Sequence, residues 1–271
     1  MQEKNLEQEL EEISIKETMA KIKHKIMVMS NKGGVGKSTV AANIADELAN
    51  QGYQVGLLDV DIHGPSQAKI FDIEKERLMA DENHKLIPFQ PKQNLKIITI
   101  AGLMENEYQP IIWRGPLKIG IIKQFIKDVY WGELDYLIID APPGTGDEPL
   151  TIAQLIPDLD GMIIVTTAQE LALLDSRKAV EFAKKLNTKV LGIVENMSYL
   201  NCPHCNQQID LFKMSNNDIA SKIGDIDILG VLPFEPKLLH SMDKGISFME
   251  SDKATDVGKI FVNIVDKIKS I

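Results

Sequence analysis

Five short stretches of this chain are almost continuously apolar: "KIMVMS" (25–30), "QVGLLDVD" (54–61), "LDYLIIDA" (134–141), "GMIIVTTA" (161–168) and "KVLGIVENM" (189–197). A strand with one wet face alternates apolar and polar residues; an uninterrupted run implies burial on both faces, as in a parallel sheet covered by helices on each side. The segments between the runs carry helical periodicity and predict helices over 37–51, 116–131, 148–156, 171–187, 215–223 and 253–269. Two further runs, "LIPF" (86–89) and "LKIITIAG" (95–102), follow each other closely enough for a hairpin or an addition at the sheet edge. The alternation predicts a doubly wound α/β fold with a mostly parallel sheet. No repeat, low-complexity tract or Pro/Gly/Ser linker interrupts it, so a single domain over 25–271 is expected after a charged lead of residues 1–24.

Both ends carry amphipathic patterns. In the lead, Leu6, Leu10 and Ile13 recur at three- to four-residue spacing, which predicts a solvated helix with one packed stripe. At the other end, Ile260, Phe261, Ile264, Val265 and Ile268 share one helical face, expected to pack on the sheet. The same face on a membrane is the alternative, disfavoured by only three accompanying lysines.

Charge narrows the partners. Of 271 residues, 39 are acidic and 30 basic, for a net charge of −9, so no protein-wide positive field draws in phosphate backbones or anionic lipid. Neither nucleic acid nor a membrane is expected as main partner. No apolar run reaches membrane-spanning length and the N-terminus is too charged for a signal peptide, which places the chain in the cytoplasm. There, its only two cysteines, two residues apart in "NCPHC", suit a metal or redox site better than a structural disulfide.

The first run leads into "SNKGGVGKSTVAANIADELA". Glycines at 33, 34 and 36 let a backbone curl its N–H groups, Val35 and Thr39 included, around a phosphate at a helix N-terminus. In such a loop Lys37 reaches the β- and γ-phosphates and the Ser38 hydroxyl ligates Mg2+. The pattern asks for glycine at position 31; Asn31 stands there, and asparagine tolerates a left-handed backbone. "KGGVGKS" resembles the deviant phosphate loop of the MinD/ParA/nitrogenase-iron-protein class. The resemblance implies that Lys32 acts in trans on the nucleotide of a partner subunit, in a homodimer.

Acidic residues close the second and third runs. Asp140 ends four apolar residues in "LIIDAPPGTGDEPLT", the arrangement of a magnesium-holding aspartate, before a Pro/Gly loop suited to switching. Asp147 there reads equally as a switch contact or a helix cap. Asp59 and Asp61 end "VGLLDVD". By resemblance to the same class, Asp59 supports the Mg2+ shell and Asp61 positions the attacking water, while Asn196 bonds adenine and Pro233 lines its pocket. His63, in the following loop, reads as solvated.

The cysteines leave three readings. A dithiol oxidoreductase places its motif at a helix N-terminus, whereas "NQQIDLF" after Cys205 is polar and then strand-like. Zinc and an iron–sulfur cluster both accept four thiolates, which a symmetric dimer supplies from two per chain. "DVDIHGPS", "WRGP" (113–116), "IIDAPPGTGDEPLT" and "ENMSYLNCPHC", in this order, resemble the Mrp-type (ApbC-like) iron–sulfur cluster carrier ATPases over about residues 25–250. That resemblance implies an ATP-hydrolysing carrier, slow in turnover, binding Mg2+ and ATP. It further implies that Cys202 and Cys205 of two chains bridge a [4Fe-4S] cluster passed from a cluster donor to apo iron–sulfur proteins. Zn2+ in place of the cluster remains open. The competing function is a MinD/ParA-like spatial-organising ATPase with structural zinc at its dimer interface. In the knuckle, Asn206 must supply any left-handed turn and His204 points outward.

Overall fold

Apolar runs buried on both faces form the middle of the sheet, because only there does every side chain find cover. The computed structural model describes residues 2–62, 64–104, 115–212, 222–224 and 226–270. After helix α1 (Gln2–Met19) come β1 (Ile22–Met29), α2 (Lys37–Asn50), β2 (Val55–Asp59) and a short α3 (Gln67–Ile70). Next are β3 (Met79–Ala80), β4 (Leu86–Ile87), β5 (Phe89–Lys92), β6 (Leu95–Thr99) and a 3-10 turn (Ile100–Leu103). The chain continues through α4 (Gly115–Lys127), β7 (Leu134–Asp140), α5 (Asp147–Leu155), β8 (Gly161–Thr166), α6 (Glu170–Lys185) and β9 (Val190–Glu195). It closes with β10 (Tyr199–Asn201), β11 (Gln208–Asp210), β12 (Ile228–Val231), α7 (Pro236–Asp243), α8 (Phe248–Ser251) and α9 (Asp256–Lys269).

Eight strands form one sheet in the order β12-β9-β8-β1-β7-β2-β6-β5. All neighbours are parallel except β5, which runs antiparallel to β6 as the edge hairpin the sequence suggests. β1 begins at Ile22, inside the segment expected to be helical lead. The ends of β1, β2 and β7 lie in register, with Asp59 opposite Asp140 and Val28 opposite Asp140, so the chemistry-bearing residues emerge along one sheet margin. Ligands of open α/β sheets bind at such carboxyl ends.

Helices cover both faces. Ile44 and Leu48 of α2 with Phe261 and Ile264 of α9 fill one side; Ile122, Phe125 and Ile126 of α4, Ile152 of α5 and Val180 of α6 fill the other. Phe261, Ile264 and Val265 are wholly buried. Each such side chain contributes about 1.5–3 kcal/mol by leaving water. The apolar face of α9 is therefore core, as expected, and is not free for a lipid surface. No helix of the described residues is long and apolar enough to cross a membrane.

The lead helix packs differently from expectation. Leu6, Leu10 and Ile13 are 58%, 57% and 51% exposed. The seated face instead runs through Glu11, Ile15 and Met19, at helical spacing but rotated from the leucine stripe. Ile15 and Met19 enter the core, Glu11 pairs with Lys123 at 2.5 Å and Lys127 at 3.2 Å, and the Thr18 hydroxyl donates to the Lys127 carbonyl. Burial of Ile15 and Met19, with the Glu11 pairs to α4 beside them, accompanies the face of α1 that turns inward. The helix expected over 215–223 falls largely outside the described residues, as do His63 and part of "WRGP".

Candidate nucleotide and thiol site

Between β1 and α2 the backbone turns through Gly34 (φ 79°) and Gly36 (φ 88°). Asn31 is not left-handed, so the expected use of asparagine's tolerance at that position is not needed: the loop makes its left-handed turns at the two glycines. Gly36 caps α2, and a Cβ there would lie 2.1 Å from Asn196 Nδ2, so glycine is required by conformation and by space. The Asn196 amide donates to the Val35 carbonyl at 2.9 Å. Asn196 therefore clamps the loop to the end of β9 through its amide nitrogen while lining the cleft.

The loop walls one side of a cleft of about 450 Å³. Lys32, Gly33, Gly34, Gly36, Lys37, Ser38 and Thr39 line it, and Asp61, Asn196, Pro233 and Phe234 face them. Val35 turns its side chain into the core instead. Pro143, in the Pro/Gly loop after β7, completes one wall. Lys32 is half-buried, and its charge, with a hydrogen bond from Asn31, helps hold the Asp175 carboxyl on α6 below its usual range, after the larger effect of Lys178.

Beneath the cleft lies a buried charge cluster. Lys37 Nζ donates to Asp140 Oδ1 at 2.5 Å and sits 3.4 Å from Asp61 Oδ2. Burial alone would depress the Lys37 ammonium, but the charges of Asp140 and Asp61 outweigh it and hold its pKa up. Asp59 is fully buried and accepts from Thr99 Oγ1 at 2.8 Å and from the Asp61 amide at 3.2 Å. Burial, reinforced by the Asp140 charge, pushes its carboxyl up to about 8. Asp61 is likewise raised by burial, against the pull of Lys37. The structure thus brings Lys37, Ser38, Asp59, Asp61 and Asp140 together.

Sequence reasoning missed Gln67, which is wholly buried in the same cluster. Its Nε2 donates to Asp140 Oδ2 at 2.7 Å and to the Ser38 carbonyl at 3.1 Å. Glutamine belongs to no phosphate-loop signature; only its place eight residues beyond Asp59 signals it. Asp147 is the first residue of α5, and Gly146 holds the cap position without a side-chain bond, so the capping role expected for Asp147 is not found. Its carboxylate in the first turn suits the helix dipole.

This donor set fits a hard divalent cation. Asp61 Oδ1 and Gln67 Oε1 are buried without a partner, next to the Ser38 hydroxyl and the Asp140 carboxylate. An all-oxygen set of hydroxyl, carboxylate and amide suits Mg2+, which binds few protein ligands and keeps several waters.

From Asn196 the chain runs directly into the β10–β11 hairpin, whose tip is "CPHCNQ". Strand-like residues follow Cys205, so no helix opens at the thiols, in line with expectation. Asn206 takes φ 58° and its N–H donates to the Cys202 carbonyl at 2.8 Å, closing the knuckle through the left-handed turn the sequence asks of it. Both thiols are free, Cys205 exposed and Cys202 half-buried, and His204 is exposed. The backbone N–H of Cys205, then that of His204 and the Cys205 thiol, hold the Cys202 thiol below its usual value. Among the described residues no three His, Cys, Asp or Glu side chains group as a metal site, so this chain offers two thiols. The Phe234 amide donates to the Tyr199 carbonyl at 2.7 Å, tying the hairpin to the cleft wall.

Comparison with known proteins agrees with this geometry. The family model described as NUBPL iron-transfer P-loop NTPase matches residues 21–269. The iron–sulfur cluster carrier protein of Methanocaldococcus jannaschii is 46% identical, over 96% of this chain and 90% of its own. The cytosolic Fe-S cluster assembly factor NUBP1 homolog of Caenorhabditis elegans is 42% identical, over 94% and 83%. Among solved structures, a nucleotide-binding protein from Archaeoglobus fulgidus in complex with ADP superposes with TM-score 0.75 at 40% identity, covering 87% of this chain and 92% of that one. The cell division ATPase MinD of Pyrococcus furiosus shares the fold, with TM-score 0.68 at 20% identity over 91% and 98%. A glycine loop with its lysine on two aspartates, a paired-thiol hairpin and relatives matching nearly end to end make one conclusion: the chain belongs to the iron-transfer P-loop NTPases, the family of the iron–sulfur cluster carriers.

Proposed function

We propose that this protein is an ATP-hydrolysing carrier that binds a [4Fe-4S] cluster between two copies of the chain and hands it to apo iron–sulfur proteins in the cytoplasm. The observation that carries the reading is the hairpin: two accessible thiols, one favoured as thiolate by backbone N–H groups, stand six and nine residues beyond the cleft-lining Asn196. Two thiolates are half of a four-thiolate site, and twofold symmetry supplies the rest. A cluster held at an exposed interface can be reached by an acceptor, as a cargo must be.

The cleft takes Mg-ATP. Backbone N–H groups from Gly33 to Thr39 cradle the phosphates, and Lys37 exchanges its bond with Asp140 for the β- and γ-phosphates. Ser38, Asp59 and Asp140 supply the oxygen ligands of Mg2+, directly or through water, with Asp59 shedding its proton. When bound, Mg2+ neutralises charge on the phosphate oxygens. Asp61, facing the cleft, orients the attacking water; Lys32 reaches the nucleotide of the partner subunit; Pro233 borders the base. Nucleotide can alter cluster affinity only by favouring one dimer arrangement over another, and the Phe234–Tyr199 bond ties cleft wall to thiol hairpin.

Anaerobic reconstitution with iron and sulfide, followed by the absorption spectrum and by iron, sulfide and zinc analysis, tests the reading. A thiolate–iron charge-transfer band that disappears in Cys202→Ala/Cys205→Ala, with nucleotide binding kept, is expected. Equal iron and sulfide uptake by the double variant, or zinc with no cluster uptake, would overturn it.

A further inference from the structure

The proposed mechanism leaves Gln67 without a task, yet no side chain in the cluster is more constrained. It opens α3 directly behind the loop that carries Asp61, and it is 0% exposed. Its amide nitrogen donates to both Asp140 Oδ2 (2.7 Å) and the Ser38 carbonyl (3.1 Å), while its backbone N–H lies 3.4 Å from Asp59 Oδ2. The reversed amide would set its oxygen against a carboxylate and a carbonyl, acceptor against acceptor, so the neighbours fix the orientation. Its Oε1 is consequently an acceptor, buried and without a donor among the described residues. An unpaired buried acceptor is costly, and a polar site of this kind recruits a donor.

Asp140 shows what the arrangement achieves. Its two oxygens are held separately, Oδ1 by Lys37 and Oδ2 by Gln67. Once Lys37 turns to phosphate, the Lys37 bond is gone and Gln67 is the remaining side-chain restraint on this carboxylate among the described residues. The same amide holds the Ser38 backbone, whose hydroxyl belongs to the proposed Mg2+ ligands. The donor best suited to Oε1 is water of the cation's hydration shell, since Mg2+ keeps several waters and polarises their protons.

We infer that Gln67 is a positioning residue of the magnesium site: its N–H groups orient Asp140 and Ser38, and its Oε1 accepts from a cation-bound water. The inference rests on the Mg-nucleotide reading above. Outer-shell partners of metal ligands are worth about 10–100-fold in metal affinity. Gln67→Met keeps length and volume while removing both functions, and Gln67→Leu serves as a second variant should the first fail to fold.

The experiment titrates Mg2+ against binding of a fluorescent non-hydrolysable ATP analogue, with a parallel titration in EDTA and a melting curve for each protein. The expected result is a Mg2+ half-saturation raised about tenfold or more in the variant, with affinity in EDTA within about twofold of the parent. An unchanged Mg2+ half-saturation in a folded variant overturns the inference and leaves the nucleotide reading standing. Affinity lost equally with and without Mg2+ also overturns it, marking a structural role. Failure of the parent protein to bind the analogue, or to respond to Mg2+, overturns the underlying reading and this inference with it.

Discussion

Replacing Gly36 by alanine tests the loop geometry with a magnitude that follows from two structural features. Gly36 sits at φ 88°, ψ 24°, where a Cβ costs about 1–2 kcal/mol. That Cβ would also fall 2.1 Å from Asn196 Nδ2, the mobile end of a side chain, which must swing away and forfeit its 2.9 Å bond to Val35. A hydrogen bond of this kind is worth about 0.5–1.5 kcal/mol net. The sum is about 1.5–3.5 kcal/mol lost from the nucleotide-free protein. Gly33 is the internal control: no atom lies within 4 Å of its virtual Cβ and its φ is outside the left-handed region, so Gly33→Ala stays within about 0.5 kcal/mol of the parent. In a double-mutant cycle, Asn196→Ala costs about 1 kcal/mol in the parent and close to nothing in Gly36→Ala, where the bond is already broken. Urea denaturation without nucleotide reads all five proteins, the parent, the three single variants and the double variant. Equal stabilities of Gly36→Ala and Gly33→Ala, or strict additivity with Asn196→Ala, would refute the reasoning.

Three further outcomes follow from the site. Lys37→Ala removes the ammonium shared by Asp140 and Asp61, so ATP hydrolysis drops to background and stability falls by about 3–5 kcal/mol, as for other broken buried pairs; parent-level hydrolysis would sink the assignment. Asp59 keeps, up to about 8, a proton that the unfolded chain sheds near 3.8. The folded state therefore binds more protons in that window, and stability of the metal-free protein falls as pH rises through it, by at most about 1.4 kcal/mol per pH unit for this group. Asp59→Asn flattens the slope, and an identical profile in the variant would contradict the burial argument. Finally, Cys202 is alkylated by iodoacetamide at lower pH than an ordinary free thiol, because backbone N–H groups favour its thiolate; mass-resolved labelling of Cys202 with the pH profile of a free-cysteine peptide would count against the knuckle geometry.

What could be read from the sequence depended on how much of each signal is local. The central strands were legible because burial on both faces leaves an unbroken apolar run, and the phosphate loop because its glycines serve backbone conformation. The lead helix was legible as a helix but not in its seating: periodicity locates a stripe, while the seated face of α1 is the one where Glu11 meets Lys123 and Lys127 over a hundred residues away. Gln67 was hidden for the same reason, since its partners Asp140 and Ser38 are brought to it only by the fold. Helix α7 has a local start signal, Pro236 in the first turn behind Glu235, whose carboxylate accepts from the Lys237 amide. The strands flanking the cysteines are three residues each, too short for periodicity to mark.

The most direct test of the central claim is native mass spectrometry of the protein reconstituted anaerobically with iron and sulfide. The account predicts a species of two chains carrying one [4Fe-4S] cluster, absent from Cys202→Ala/Cys205→Ala. A cluster retained on a single chain, or a dimer holding zinc and no sulfide, would contradict it.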